Sequence, residues 1–183
     1  NNLKDYINEF TDTDYSISYV ISDIAFIKRV MHNDSNVNMR SVLRESDFVT
    51  ISIGFNDLIK IFSINNIGTV LENKTLLEKE ILYIANNYDD ALTTIRKYAK
   101  SDVIVIGFYN PYQYLNTYKS DIDYYIKKLN SLILEICKKH NVKFIDLYNA
   151  FNNKLEYLPN PNSIYPIELG YREIFNIVKN SIN

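Results

Sequence analysis

Short apolar runs alternate with longer segments of helical periodicity, and this alternation most constrains how the chain can fold. The run Asp102–Phe108 is almost continuously apolar, which is typical of a parallel strand covered on both faces. Similar runs predict strands at Phe48–Ile53 and Val142–Leu147, and a brief one at Tyr6–Phe10. Apolar spacing predicts helices over Ile17–Met31, Met39–Glu45, Leu77–Ile95 (either continuous or broken near Asn86-Asn87), Ile122–Ile136 and Leu169–Val178. This order indicates βαβ units and a doubly wound parallel sheet in one α/β domain over residues 1–183.

Composition excludes several classes of function. Lys and Arg number 20 against 22 Asp and Glu, so the net charge is −2. The sequence contains no block of basic residues that would indicate a nucleic-acid interface, so we expect no nucleic-acid partner. The single cysteine, Cys137, excludes an intramolecular disulfide framework and a cysteine-rich zinc site. No apolar run approaches the roughly 20 residues of a transmembrane helix, so we expect none. Composition leaves the oligomeric state and the cellular compartment open.

Three segments follow the predicted strands and are therefore the places to look for a site. In an open parallel sheet the ligand crevice lies beyond the carboxyl ends of the strands. The segments are Gly54–Leu58, Gly107–Tyr114 and the loop Tyr157–Gly170. We expect the residues that carry chemistry to come from these loops.

The first of these segments, Gly54-Phe55-Asn56-Asp57, directly follows a buried strand. Glycine permits a positive φ, and the asparagine amide is a donor that does not titrate. A neutral donor at a strand end suits an oxyanion hole, where one contact contributes about 3 kcal/mol in the transition state. The alternative is a plain turn in which Asp57 caps the next helix. Spacing alone leaves both interpretations open.

The residues around this segment resemble the sequence blocks of the SGNH (GDSL-type) hydrolases. Thr50–Leu58 resembles the family's third block, Gly-x-Asn-Asp, and Leu43–Asp47 resembles the lead-in before it. Val105–Tyr112 is similar to the next strand and loop, and Leu158–Tyr171 to the last block. The blocks occur in the family's order over essentially the whole chain.

The resemblance implies a flavodoxin-like three-layer α/β/α sandwich that hydrolyses esters without a metal or organic cofactor. Its substrates are small molecules: lipids, acyl groups and acetylated sugars. In the family a serine attacks the acyl carbon, and a histidine three residues after an aspartate activates it. The oxyanion hole is formed by the serine's backbone N–H, a glycine of the second block and the asparagine of the third.

Carried over residue by residue, the match is partial. Asn56 and Gly54 fall on the asparagine and glycine of the third block, and Asp14 takes the position of the second-block glycine. The last block, Asp-x-x-His in the family, reads Asn162-Ser163-Ile164-Tyr165 here. A tyrosine stays protonated at neutral pH and is a poor general base, and an asparagine lacks the charge that stabilises an imidazolium. The Gly-Asp-Ser block does not occur in residues 1–183.

The remaining nucleophiles and bases have structural interpretations. His32 and His140 each follow a predicted helix, where the helix dipole favours a histidine. Ser16 and Ser18 lie near the second block without a Gly-Asp-Ser turn, and Cys137 is expected to be buried packing. The aromatic residues of 109–114 either line an acyl pocket or pack the loop.

The family's first strand lies in the middle of the sheet and carries the serine. A stability of about 5–15 kcal/mol cannot absorb the loss of a central strand's pairing. Because the chain also begins Asn1-Asn2 without an initiator Met, we expect an N-terminally incomplete SGNH domain. Any signal peptide or lipid anchor would then precede Asn1.

The sequence supports two functional hypotheses. The first is an ester hydrolase of this family, inactive in the form of these 183 residues. The second is a pseudoenzyme that binds an acyl or glycan ligand in the same crevice. A flavodoxin-like cofactor domain is disfavoured because the phosphate-binding loop that it needs after its first strand is not present.

Overall fold

The computed structural model describes residues 39–62 and 66–182. In chain order the elements are α1 (Met39–Glu45), β1 (Phe48–Ile51), α2 (Phe55–Ile61), α3 (Ile67–Glu72), α4 (Lys74–Ile95), β2 (Asp102–Ile106), α5 (Lys119–Lys139), β3 (Lys143–Ile145), α6 (Leu147–Phe151), a 3₁₀ turn (Leu155–Tyr157) and α7 (Glu168–Ile182). The predicted strand at Tyr6–Phe10 and the predicted helix at Ile17–Met31 lie outside the described residues.

The described strands form a parallel sheet in the order β1-β2-β3. Thr50 pairs with Ile104, and Ile106 pairs with Ile145. Alternate residues of β2 point to opposite faces, as the two-residue period of a strand requires. Val103 and Val105 belong to one core cluster, and Ile104 and Ile106 belong to the other.

Helices cover both faces of this sheet. The first cluster joins the sheet to buried residues of α4 and α5, including Leu92 and Ile126. The second joins it to α6 and α7 through Phe151, Ile174 and Val178. The described part of the chain is therefore a three-layer α/β/α arrangement, which confirms the predicted fold class.

The strands end earlier than the apolar runs predict. β1 ends at Ile51 rather than Ile53, and β2 ends at Ile106 rather than Phe108. The third strand is only Lys143–Ile145, because the Asp146 side chain accepts a hydrogen bond from the Tyr148 N–H and starts α6. Apolar residues beyond a strand end are buried by loops and helix starts here, so hydrophobicity alone overestimates strand length.

The long helix is continuous at Asn86-Asn87, so of the two possibilities for this stretch the broken helix does not occur. α4 is continuous from Lys74 to Ile95, and its buried stripe passes from Ile84 through Tyr88 to Leu92. This spacing keeps the helix packed on the sheet, so two asparagines of modest helix propensity do not interrupt it. The short helices α3 and α6 lie outside the predicted helices. The helix expected after the third block is α2, which begins at Phe55, before Asp57, and α1 has the predicted bounds.

Candidate active site

The junction of β1 and α2 holds the third sequence block in a tight turn. Gly54 has a φ of 81° and occupies the N-cap position of α2. A methyl group at Gly54 would lie 3.3 Å from Phe108 Cζ and 3.4 Å from both Ile84 Cγ2 and Tyr88 Cε2. The left-handed backbone and the close neighbours both favour glycine here. Asn56 and Asp57 consequently lie in the first helical turn, at the carboxyl edge of the sheet.

Asn56 is exposed at this edge, and Asp57 is its neighbour in the first turn of α2. The prediction that Asp57 caps the helix is wrong, because Gly54 is the N-cap and no side chain caps α2. Asp57 lies inside the first turn, with its Oδ1 3.9 Å from Lys60 Nζ. A carboxylate there still interacts favourably with the helix dipole.

The loop after β2 is held by a buried asparagine from α5. The Asn130 side chain accepts from the Phe108 N–H and donates to the Phe108 carbonyl, each at 2.9 Å. The same amide nitrogen lies 2.8 Å from Asp146 Oδ1. Asn130 therefore connects the ends of β2 and β3 and fixes where the Gly107–Tyr114 loop leaves the sheet.

A second polar cluster holds the middle of that loop. Asn110 donates to Asp123 Oδ1 at 2.8 Å and accepts from the Tyr112 N–H at 2.8 Å. Asp123 Oδ2 lies 2.7 Å from Lys119 Nζ, which satisfies the carboxylate at a largely buried position. Gln113 donates to the Phe151 carbonyl at 2.8 Å, so the loop is also bonded to α6.

Sequence reasoning did not single out Asn130 or Asp123. A signal was available, since both lie among the apolar positions Ile122, Ile126 and Leu129 of the same helix. A polar side chain on a buried helix face must find a hydrogen-bond partner. Their burial predicts a polar contact, although the sequence does not say with which loop.

Tyr109 joins the third block to the last block. Its ring lies 5.0 Å from the Phe55 ring and 4.6 Å from the Phe151 ring, and its hydroxyl donates to the Ile164 carbonyl at 2.9 Å. Burial raises the pKa of Tyr109 well above its ordinary value, and Tyr171 and Tyr165 add to this. Of the two interpretations for the aromatic residues of this loop, Tyr109 and Tyr112 follow the packing one, because both are buried.

The last block presents its two candidate residues to solvent. Asn162 is exposed, and its N–H donates to Asn160 Oδ1 at 2.9 Å. The Tyr165 side chain is 55% exposed, and its backbone N–H donates to Ser163 Oγ at 3.2 Å. The Asn160 and Ser163 side chains thus accept from the backbone of this loop, while the Asn162 and Tyr165 side chains remain exposed.

Other candidate residues lie elsewhere. Asp14, Ser16, Ser18 and His32 are outside the described residues. His140 is the C-cap residue of α5, where its Nε2 lies 2.5 Å from Asp89 Oδ1. Because α5 leads into the start of β3, this pair lies at the opposite edge of the sheet from Asn56. His140 is therefore a residue at the carboxyl end of a helix, as its structural interpretation predicts.

Cys137 is part of the buried packing, as its structural interpretation predicts. It lies on the buried face of α5 and is fully buried in the core. Burial raises the pKa of its thiol to about 12, which removes the thiolate that a nucleophile needs.

A groove lies beside the third block. It has a volume of about 320 Å³ and is formed by α2, α3 and α4, with these lining residues: Asp57, Lys60, Ile61, Asn66, Val70, Leu76, Leu77, Glu80, Tyr83 and Ile84.

Over residues 39–62 and 66–182, no group of three or more His, Cys, Asp or Glu side chains could hold a metal ion. No helix among those same residues is long and apolar enough to cross a bilayer.

Comparisons with known proteins agree on a family and a fold. The model of the GDSL-like Lipase/Acylhydrolase family matches residues 29–173. A lipase from a goat rumen metagenome superposes with a TM-score of 0.68 at 19% identity, covering 84% of this chain and 72% of its own. No curated protein sequence matches significantly.

A second solved structure is similar over a comparable length. The acetylxylan esterase Axe2 from Geobacillus stearothermophilus has a TM-score of 0.58 at 16% identity, covering 88% of this chain and 68% of its own. Catalytic mutants of that enzyme replace a histidine, a serine and an aspartate. At these identities the structural matches support the fold.

Proposed function

Since the chain belongs to the GDSL-like lipase/acylhydrolase family, we propose that the carboxyl edge of its sheet is an ester-binding site whose activity is ester hydrolysis. The substrate is a small ester of a lipid, an acyl group or an acetylated sugar. Asn56 is the proposed oxyanion donor, because its neutral amide is exposed where the third block starts a helix. Gly54 provides the turn that places it there.

One observation carries this proposal: Tyr109 connects the two blocks from which such a site is assembled. Its ring packs on Phe55, the neighbour of Asn56, and its hydroxyl binds the carbonyl of Ile164, the neighbour of Tyr165. Residues far apart in the chain are thereby adjacent at one edge of the sheet. This adjacency supports a role for Asn56 and Tyr165 in one crevice.

We further propose that residues 1–183 are a poor ester hydrolase, because the Gly-Asp-Ser block that carries the family's nucleophile does not occur in them. The position of the base is taken by Tyr165, and that of its carboxylate partner by Asn162. A phenol and an amide cannot shuttle a proton as an imidazole and a carboxylate do. Asp14, proposed to supply a backbone N–H to the oxyanion, brings a negative charge that opposes it.

Hydrolysis of p-nitrophenyl acetate tests this assignment. We expect slow turnover by the unmodified chain and a gain of roughly tenfold in Tyr165→His. Because residues 1–183 contain no Gly-Asp-Ser serine, the new histidine would take its proton from a water molecule that attacks the acyl carbon. A well-oriented general base contributes about 10²–10⁴-fold. Adding Asn56→Ala to Tyr165→His should remove the gain. Asn86→Ala, an exposed asparagine of α4, is the matched control and should leave it intact.

Two results would contradict the assignment. A gain that survives Asn56→Ala would mean that the oxyanion donor lies elsewhere. Fast hydrolysis by the unmodified chain that Asn56→Ala abolishes would show that the base is a residue other than the one at position 165.

A second candidate function is a binding module without catalysis. It is favoured by the last block, where Asn162 and Tyr165 are exposed and the structure shows no hydrogen bond from either side chain to another described residue. Its signature is specific ester binding together with no hydrolysis in any of the variants above.

A further inference from the structure

Tyr88 of α4 is bonded to the backbone just beyond the first strand. Its hydroxyl donates to the Ile53 carbonyl at 2.5 Å, and both residues are buried. The pairing of β1 with β2 ends at Ile51, so it does not reach this carbonyl. A buried carbonyl outside the strand ladder needs another donor. Here the donor is a side chain 35 positions later in the chain.

The carbonyl that Tyr88 binds belongs to the peptide unit that enters the Gly54 turn. Because a peptide unit is planar, fixing its oxygen also fixes the direction of the Gly54 N–H. Gly54 then continues from this plane with a φ of 81° and starts α2. Asn56 follows two residues later, in the first turn of that helix. The Tyr88 hydroxyl therefore acts on the backbone that places the proposed oxyanion donor.

The Tyr88 ring also packs against this turn. Its Cε2 lies 3.4 Å from the position of a methyl group on Gly54, and its ring meets the Phe108 ring edge-on at 6.4 Å. The Phe55 ring stacks on the other partner of this contact, with 6.0 Å between the Phe55 and Phe108 centroids. Ring, turn and loop are thus held in one packed group.

The hydroxyl of Tyr88 does what a phenylalanine ring could not. Burying a hydroxyl is costly unless it forms a hydrogen bond, and the bond to Ile53 offsets this cost. Burial raises the pKa of Tyr88 above its ordinary value, so the hydroxyl stays protonated and remains a donor. Packing alone requires only the ring at this position, whereas orientation of the peptide requires the hydroxyl.

We propose that Tyr88 is a positioning residue of the ester site: its hydrogen bond to Ile53 fixes the Gly54 turn and thereby the orientation of the Asn56 amide. This inference rests on the proposed function, in which Asn56 is the oxyanion donor. Tyr88 does not touch the substrate, because its side chain is fully buried. It acts on the reaction through Asn56, so its contribution disappears when Asn56 is replaced.

A double-mutant cycle of Tyr88→Phe with Asn56→Ala tests the proposal. Tyr88→Phe removes the hydroxyl and keeps the ring. In the Tyr165→His chain we expect it to slow hydrolysis of p-nitrophenyl acetate about fivefold, because a buried hydrogen bond contributes about that factor. In the chain that also carries Asn56→Ala, Tyr88→Phe should have no further effect. An equal loss in both backgrounds would show a purely structural role and overturn the proposal.

Tyr125→Phe is the matched control. Tyr125 is a buried tyrosine of the same core cluster, and its ring lies 6.3 Å from that of Phe62, the residue that follows α2. It thus contacts the other end of the helix that Gly54 starts. Tyr125→Phe should leave the rate unchanged. A loss as large as that of Tyr88→Phe would mean that any buried hydroxyl of this core has the same effect, which would contradict the positioning role.

NMR of the same variants separates this inference from the function on which it rests. Tyr88→Phe should shift the Ile53 carbonyl-carbon signal and the signals of the Gly54 N–H and the Asn56 side-chain amide, whereas Tyr125→Phe should leave them in place. If these shifts occur and no variant hydrolyses the ester, the ester function fails and the positioning of Asn56 by Tyr88 stands. Asn56 signals that do not respond to Tyr88→Phe would overturn the positioning role, whatever the activity.

Discussion

Gly54 shows how one residue determines the geometry of the candidate site. Its φ of 81° is accessible to other residues only at a cost, and Phe108, Ile84 and Tyr88 surround the place where a side chain would go. The turn that it makes brings Asn56 to the edge of the sheet. A single backbone conformation thus links the buried strand to the exposed amide.

Replacing Gly54 with alanine should lower stability. A left-handed non-glycine residue costs about 1–2 kcal/mol. We expect the melting temperature to fall by about 2–8 °C, measured by thermal unfolding followed by circular dichroism. Gly68→Ala in α3 is the control, because its backbone φ is not positive and an added Cβ would meet only the Tyr118 side chain, with the hydroxyl nearest at 3.0 Å. Equal losses in both variants would contradict this account.

At the scale of elements, α4 and α5 are joined by charged groups at the edge of the sheet opposite the site. Asp89 of α4 accepts hydrogen bonds from Lys139, at 2.7 Å, and from His140 at 2.5 Å. The Lys139 contact, followed by the His140 contact, holds the pKa of Asp89 below its ordinary value. These bonds fix the end of α5 before the chain enters β3.

This pKa shift predicts a loss of stability in acid. A carboxylate whose pKa is lowered by folding stabilises the native state above its unfolded pKa, near 4, and this contribution disappears as pH falls through the native value. Asp89→Asn should lower the melting temperature by about 1–4 °C at pH 7, since partly exposed ion pairs contribute about 1 kcal/mol or less. The difference from the unmodified protein should vanish near pH 2.

Asp102→Asn provides the control for charge alone. Asp102 is an exposed aspartate at the start of β2. The substitution should have little effect at either pH. A difference between Asp89→Asn and the unmodified protein that persists unchanged in acid would show that the Asp89 contact is not electrostatic.

At the scale of the whole molecule, the core contains the chain's single cysteine. Cys137 lies on the buried face of α5, and burial raises the pKa of its thiol to about 12. Iodoacetamide at pH 8 should therefore leave the native protein unlabelled, whereas labelling in guanidinium chloride should be complete. The labelling rate, read by mass spectrometry, should follow global unfolding. Rapid labelling of the native protein would show that α5 opens locally.

Much of this architecture can be predicted from the sequence because it depends on periodicity. The apolar run of β2 predicts a strand covered on both faces, and the apolar stripe of α5 predicts a helix packed on the sheet; both occur. The strand ends and the short helices α2, α3 and α6 could not be predicted in this way. They depend on caps such as Asp146 and on contacts between residues distant in the chain.

The sequence by itself determined the family blocks, the carboxyl-edge loops and the identity of Asn56, Gly54, Asn162 and Tyr165. Those properties follow from local residue types and their order. Only the tertiary structure decided that Tyr109 ties the third block to the last one, that Asn130 and Asp123 hold the intervening loop, and that an aliphatic groove opens beside Asp57. The physical reason is that burial and hydrogen bonding couple distant segments, and a linear pattern does not state which segments meet.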